Sequence, residues 1–545
     1  MSARARHVPA SPELAAAGRP PGPETGPDDG QHLPHLAAGN CLRSAAGAES
    51  ARRPDAAAQV LAGLEGAGPG PLVSGKLAIV GAGWAGLAAA VAAARSGAEL
   101  TLFESSRHLG GRARALSAQR PDGLTLTLDN GQHILLGAYT ETLALLQRVG
   151  VAPAAALLGL PLALPYPDGS GLQTPAWAAR WGAAAGALAA IASARGWTWR
   201  ERLALLRAGA GWQRAGFDCP ASLSVAALCA QLPRRVQDEL IEPLCVSALN
   251  LGAAHASAQV FLRVLRDTLL GPGFGGWAAS SLLLPRTDLS QLFPAAAAHW
   301  LQTHHGSQVR LRLGTRVLGL QAHAGGWRLH GAGWQQDFER VIWASAARPA
   351  AVALQQAAAQ ADADAPWAQA LRTWADACAA LQHTAIGTVY AWAPQARLAQ
   401  PMLALRADPD AHTAPAQFVF DRGQLAPHEH AAQGVLAFVV SASAGERDEL
   451  QARVLRQGAR QLGLARLLPI QTVLEKRACF ACTPGLQRPG PSIAPGLWAA
   501  GDYVAGPYPA TLEGAVRSGL AAAALACQDA AAAAPFTPAP NAPRP

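Results

Sequence analysis

Gly81, Gly83 and Gly86 stand in the spacing Gly-x-Gly-x-x-Gly, between an apolar run, Lys76–Val80, and an Ala-rich helical stretch reaching Ser96. That pattern suits one task, the holding of a dinucleotide pyrophosphate. The first glycine permits a tight turn, the second lets the backbone approach the phosphates, and the third lets helix and sheet pack closely. Trp84 and Ala85 open the helix, where free amides and the positive end of the helix dipole face the anion. A second apolar run, Glu99–Phe103, ends on Glu104, a carboxylate placed to accept hydrogen bonds from ribose hydroxyls. Strand, glycine turn, helix, strand and terminal acid together form a βαβ unit of about thirty residues.

Arg107-His-Leu-Gly110-Gly111-Arg112 follows at once and would return backbone amides and a guanidinium toward the same ligand. It resembles the second signature of the flavoprotein group that contains amine oxidases and phytoene desaturases. Far downstream, Gly501-Asp502-Tyr503 and Tyr508-Pro-Ala-Thr511-Leu512-Glu513-Gly514 resemble that group's C-terminal flavin motif. The resemblance implies FAD rather than NAD. Asp502 would meet a ribityl hydroxyl or phosphate, and a helix starting at Thr511 and Leu512 would point its positive end at the flavin ring. Gly131 and Val317 complete the residues the resemblance assigns to the cofactor.

Between these ends lie Asp129-Asn-Gly131-Gln132-His133, Glu242-Pro-Leu-Cys, Leu284-Pro-Arg-Thr-Asp, Phe418-Val-Phe-Asp421-Arg422 and Glu475-Lys-Arg-Ala. From about Lys76 to Leu525 the chain resembles the squalene-associated FAD-dependent desaturases, the hydroxysqualene dehydroxylases of squalene and hopanoid synthesis. Tyr503 stands where a Trp is common there, and Cys479 and Cys482 where Thr and Ala are usual. The resemblance implies a hydrophobic isoprenoid substrate, association with enzymes of that pathway, and a reaction in which reduced flavin replaces an allylic C–OH by C–H. Such a step needs a hydrogen-bonded or protonated leaving hydroxyl, shelter from water and correct orientation. His133 and Gln132 are the expected catalytic groups, since a histidine donates protons near neutral pH. Glu242, Asp421 and Tyr390 are weaker acid candidates with structural alternatives.

Three other readings stay open. A carotenoid-type desaturase would use the same motifs with hydride flowing toward the flavin. An amine oxidase-like enzyme lacks a recognisable ammonium cage here, and a non-catalytic flavin- and lipid-binding partner would have little use for a helix dipole aimed at the ring.

The elements that must position these residues set the fold class: α/β, a Rossmann-like FAD-binding domain of three layers with an inserted α+β substrate domain containing a mixed sheet. Expected boundaries are 75–150, 281–350 and 470–530 for the FAD domain, with 151–280 and 351–469 for the insertion. Residues 1–74 read as a disordered extension and 531–545 as a flexible tail, both rich in Pro and small residues. Half of the 545 residues are apolar and 15% are charged, which supplies a large core. The net charge of +8 is spread along the chain without a basic run or basic–aromatic patch, so no nucleic-acid partner is expected. Eight cysteines make no disulfide framework, and neither the lone Cys479/Cys482 pair nor His428-Glu429-His430 assigns a metal. The absence of a secretory signal fits a cytoplasmic location. Trp177, Trp181, Trp197 and Trp199, with Arg180, Arg195 and Arg200, bracket an apolar stretch, Gly182–Ala194. They fit either peripheral docking at the inner face of the cytoplasmic membrane or a helix pair packing its Trp side chains into the core.

Overall fold

The computed structural model describes residues 75–532 apart from 176, 179–182, 363–364 and 408–412. The 1–74 extension, residues 533–545 of the expected 531–545 tail, and Arg180 and Trp181 lie outside the described residues, while 531–532 continue the last helix.

Lys76–Val80 is central in a six-stranded sheet, hydrogen-bonded in parallel to Glu99–Phe103 on one side and to Arg340–Trp343 on the other. Val309–Arg312 extends one edge in parallel. Leu497–Ala499 extends the other, and Ser492–Ala494 closes it antiparallel. Four of the five residues in Lys76–Val80 and in Glu99–Phe103 are buried, the near-continuous apolar run of a strand covered on both faces.

One cover is the helix Trp84–Ala93, nine of whose ten residues are buried. Its small residues Ala85 and Ala88 let the last helix, Leu512–Ala532, lie directly against it. A Cβ built on Gly519 would sit 2.1 Å from the carbonyl oxygen of Ala85, so the two backbones touch with no room for a methyl. The last helix therefore packs on the first helix described and against the strands Arg340–Trp343 and Leu497–Ala499.

A second sheet of five strands runs Met402–Ala404, Phe418–Asp421, Val435–Ser443, His383–Trp392, Leu468–Phe480, with antiparallel pairing throughout. Between residues 150 and 280 the chain also holds short strands at Leu157–Leu160, Ala163–Pro165 and Gly171–Gln173. The first of these joins Leu282–Pro285 and Leu135–Leu136 in a small sheet. Helices Glu242–Leu249 and Ala258–Leu270 lie nearby, the second N-capped by Ser257.

Gly519→Ala should destabilise the protein by about 1–3 kcal/mol, since a backbone carbonyl cannot rotate away from the new methyl as a side chain could. The drop in thermal midpoint, compared with Ala→Gly changes on exposed helix faces, measures it; an unchanged midpoint would show that the helices can separate freely.

Candidate active site

The glycine turn is shaped by two clashes it avoids. Gly81 has φ +113° and its amide donates to the carbonyl of Phe103 at 2.7 Å. A Cβ on Gly86 would lie 1.8 Å from the carbonyl oxygen of Gly81, so only hydrogen fits where the turn folds back on its helix. Gly83 is the N-cap and gives the helix no side-chain cap. The amides of the first turn thus keep their capacity for an anion.

The Gly110-Gly111-Arg112 turn comes alongside through a parallel bridge between Gly83 and Gly110, and the Gly110 amide donates to Ala82 at 2.9 Å. A Cβ on Gly111 would approach the Cα of Gly83 to 3.3 Å. Arg112 then reaches across 390 residues to Asp502, Nη2 to Oδ1 2.6 Å, and also donates to the carbonyl of Ala478. Asp502 is the chief reason that the guanidinium holds its proton more tightly than usual. Glu104 accepts from the Ala82 and Ser106 amides, each at 2.8 Å, which pins the strand end to the glycine turn.

At the far end Thr511 caps the last helix. Its hydroxyl accepts from the Gly514 amide at 2.9 Å and donates to the Tyr508 carbonyl at 2.7 Å. Tyr508 and Ala510 adopt left-handed φ of +57° and +58°, conformations that side chains rarely take and that concentrate at functional sites.

These segments share one cavity of about 990 Å³, lined by Gly81, Gly83, Trp84, Ala85, Glu104, Gly111 and Arg112 from the N-terminal side. Gly501, Asp502, Thr511 and Leu512 line it from the C-terminal side, with Val317 from between. Gly86 does not line it, and Trp84 faces it only at the helix end. The indole of Trp84 is buried, donating to the Ala113 carbonyl at 3.1 Å and tilted against Phe293 at 5.0 Å. A cradle of bare glycine backbone, an uncapped helix end and a buried-edge Arg–Asp pair fit a dinucleotide.

A family model described as flavin containing amine oxidoreductase matches residues 84–527. The chain belongs to that family. It is an FAD-dependent oxidoreductase. Among curated proteins it is similar to the hydroxysqualene dehydroxylase of Sinorhizobium fredii, 27% identical over 256 residues, 45% of this chain and 54% of that protein. It is also similar to the hydroxysqualene dehydroxylase of Zymomonas mobilis, 40% identical over 72 residues, 13% of this chain and 17% of that one. The chain thus matches about half the length of the first relative and a smaller part of the second. A crystal structure of an oxidoreductase from Methanosarcina mazei shares the fold, with a TM-score of 0.59, 16% identity, and coverage of 82% of this chain and 98% of that one.

In this flavoenzyme the Asp129–His133 turn enters the same cavity through Gly131, Gln132 and His133. Gly131 has φ +119°, and its carbonyl takes the Nδ1 of His133 at 2.8 Å. A carbonyl can only accept, so Nδ1 carries the proton and Nε2 of the neutral ring is an acceptor. Burial, and secondarily the charge of Arg112, push the His133 pKa below the usual histidine value, against the pull of the Gly131 carbonyl. The Oε1 of Gln132 accepts from Arg422 at 3.4 Å, while its Nε2 is buried with no protein partner. Behind the turn lies Asp129, 1% exposed, with Oδ1 accepting from the Leu289 amide at 2.8 Å and Oδ2 3.6 Å from Arg422. Burial raises its pKa to about 6, opposed by Arg422.

The weaker acid candidates hold structure. The Tyr390 hydroxyl donates to the Asp129 carbonyl at 2.9 Å, and Asp421 caps the short helix Arg422–Leu425. Glu242 accepts from the Ala253 amide at 3.0 Å. Cys479 lines the cavity, and burial raises its thiol pKa to about 12, so it is no thiolate.

The remainder of the cavity is a compartment that sequence patterning did not delineate. Helix Ala258–Leu270 presents Phe261, Val264, Leu265, Thr268 and Leu269 to it, and helix Glu242–Leu249 presents Leu244, Ser247 and Ala248. Met402, Phe418, Phe420 and Val439 come from the five-stranded sheet. These wall residues are uncharged, while Glu475 and Arg477 of the same sheet, and Arg316 and Arg348, also line the cavity. The i, i+3, i+4, i+7 spacing of Phe261, Val264, Leu265 and Thr268 was available in the sequence, but it marks an inward helix face without saying whether core or cavity lies opposite.

Arg112→Ala should raise the FAD concentration needed for half-saturation roughly tenfold, because one charge-assisted contact is lost and Asp502 is left unpaired beside the ligand. Flavin fluorescence on titration reads this directly. Asp129 gives a pH signature. Its folded pKa of about 6 lies above the 3.8 of an ordinary carboxylate, so its contribution to stability is greatest below pH 4 and is lost as pH rises to 6. In Asp129→Asn, chemical-denaturation midpoints should therefore fall less between pH 4 and 6 than in the parent; equal slopes would show that Asp129 does not titrate there.

Proposed function

We propose that this flavoenzyme reductively dehydroxylates a C30 isoprenoid alcohol, converting hydroxysqualene to squalene and water. The observation that carries the reading is the largely apolar compartment continuous with the cofactor cradle. A long hydrocarbon buried there loses water from most of its surface at about 25 cal/mol per Å². The wall offers little hydrogen bonding along its length, so orientation must come from the oxygenated end. The two dehydroxylase relatives support the same choice of substrate.

When bound, reduced FAD supplies the hydride. The protein's own groups manage the oxygen and the proton. Gln132 lines the cavity, its Oε1 accepting from Arg422 and its buried Nε2 having no protein partner. It would hydrogen-bond the substrate hydroxyl and continue to do so as the C–O bond lengthens. The departing oxygen takes one proton to leave as water, and the carbon takes the hydride, so charge and atoms balance. His133 can donate that proton from Nε2 only in its protonated form, which its lowered pKa makes the minor form at neutral pH. The apolar walls keep bulk water from capturing an allylic cation.

Anaerobic mixing of photoreduced enzyme with hydroxysqualene in detergent tests the reaction. Squalene should form in step with flavin reoxidation. Reduced flavin that persists, with oxidised enzyme instead bleached by a polyene precursor, would replace the reading by desaturation. Gln132→Ala should slow reoxidation about ten- to a hundredfold while FAD affinity stays unchanged. In the parent, the rate should climb as pH falls toward and below the usual histidine pKa, and His133→Gln should flatten that climb. A profile identical in both would remove His133 as the proton donor.

A further inference from the structure

Two helices on the insertion are covered far less than their neighbours. Ala183–Ala192 carries no charged or strongly polar residue, yet only Gly186 and Ala190 of its ten residues are buried. Trp199–Arg214 follows it, and only Leu205 of its sixteen residues is buried. The equally apolar Trp84–Ala93 helix, by contrast, has nine of ten buried. Leu188 is 56% exposed and Trp199 67% exposed. A wholly apolar helix left at the surface marks a contact face.

Charge identifies what the face fits. Trp199–Arg214 carries Arg200, Arg202, Arg207 and Arg214 against a single acid, Glu201, which is committed to the capping box with Thr198. Arg202 ties the pair together by donating to the carbonyls of Ala192 and Ala194 at 2.7 Å each. Arg195, Arg200, Arg207 and Arg214 are exposed. A second copy of this chain docked by a two-fold axis would set this positive helix near itself, an unfavourable pairing. An anionic lipid surface meets every feature: apolar residues enter the acyl boundary, the Trp ring sits at the headgroup level, and the arginines face phosphates.

We propose that the Ala183–Arg214 helical pair is the surface by which this protein docks shallowly on an anionic bilayer. No helix among the described residues is long and apolar enough to cross a membrane, so the contact is interfacial. Its position serves the proposed lipid reaction, on which the purpose but not the binding depends. Ala183–Ala192 packs against Ala258–Leu270, the helix that also lines the largely apolar compartment, and Leu270 at its end is 53% exposed. One helix thus separates the docking face from the cavity.

The test is co-sedimentation of the full chain with vesicles of phosphatidylcholine alone or with about one-third phosphatidylglycerol. Binding should be confined to the anionic vesicles and fall with added salt. Leu188→Glu and Trp199→Ala should each lower the bound fraction about tenfold, and Arg207→Glu with Arg214→Glu should abolish the preference for anionic lipid. Turnover of hydroxysqualene in detergent micelles should be unchanged in all of these variants while turnover of vesicle-borne substrate drops. Equal binding of parent and variants, or none to either vesicle, would overturn the proposal. So would a dimer by light scattering that Leu188→Glu dissociates without any vesicle binding, which would give the face to a second copy. Should the micelle assay fail while vesicle binding behaves as stated, the substrate is wrong and the docking face stands.

Discussion

The Glu513 carboxylate is fully buried and survives there only because four donors converge on it. The amides of Glu141 and Thr142 reach it at 3.2 and 2.9 Å, the Thr142 hydroxyl at 2.7 Å, and Arg517 Nε at 2.7 Å. The two amides belong to the first turn of the helix Thr140–Arg148, whose positive end further favours the anion. An ionised carboxylate in such a place would be costly without every one of these partners. Their geometry therefore fixes where the last helix lies relative to a turn 370 residues earlier in the chain. Because Leu512 and Asp502 are carried by that helix and the strand end before it, this carboxylate keeps the two halves of the cofactor cradle in register.

That attachment also explains how a strained turn persists beside it. Tyr508 and Ala510 hold left-handed φ immediately before Thr511, at a cost on the order of 1–3 kcal/mol each. Arg517 and Arg263 stand over the Tyr508 ring at 5.1 and 5.9 Å, and Tyr139 meets it edge-on at 6.1 Å. Arg263 lies on the cavity-lining helix, so the same contacts that offset the strain also join the compartment wall to the cofactor end. A turn so over-determined can present Thr511 and Leu512 in one place without ligand present to organise them.

The parts of this architecture that were legible in the sequence are those encoded locally. Lys76–Val80, the glycine turn and Glu104 lie within thirty residues, and each supports the reading of the next. The C-terminal helix was legible because Thr511, Glu513 and Gly514 carry their own capping chemistry. What spacing could not supply was the partner across the fold. Trp197 and Trp199 are two residues apart, yet Trp197 is buried with its Nε1 donating to Glu239 at 2.9 Å, while Trp199 stands in solvent. Asp421 and Tyr390 looked like acids because their types allow it; only tertiary contacts show one capping a helix and the other bonded to a backbone carbonyl. His133 was legible as a candidate polar group and does line the cavity, but the proton on its Nδ1 depends on a carbonyl two residues back.

The separation of polar and apolar work within one cavity has a consequence for the proposed cycle. An unpartnered buried amide donor such as Gln132 Nε2 costs about 1–3 kcal/mol. In the proposed reaction a substrate hydroxyl that reached this donor would relieve that cost, and the site would then favour the oxygenated lipid over a pure hydrocarbon of the same length. Once the C–O bond is broken and water has gone, the product is such a hydrocarbon, and the donor is unsatisfied again. Affinity then rests on apolar burial alone, which the bilayer offers equally well. Arg422, itself buried and held near Asp129, contacts the Oε1 of Gln132 at 3.4 Å. In the proposed cycle the unmet hydrogen bond would thereby discriminate substrate from product, and release of the hydrocarbon toward lipid would follow from the loss of that same contact.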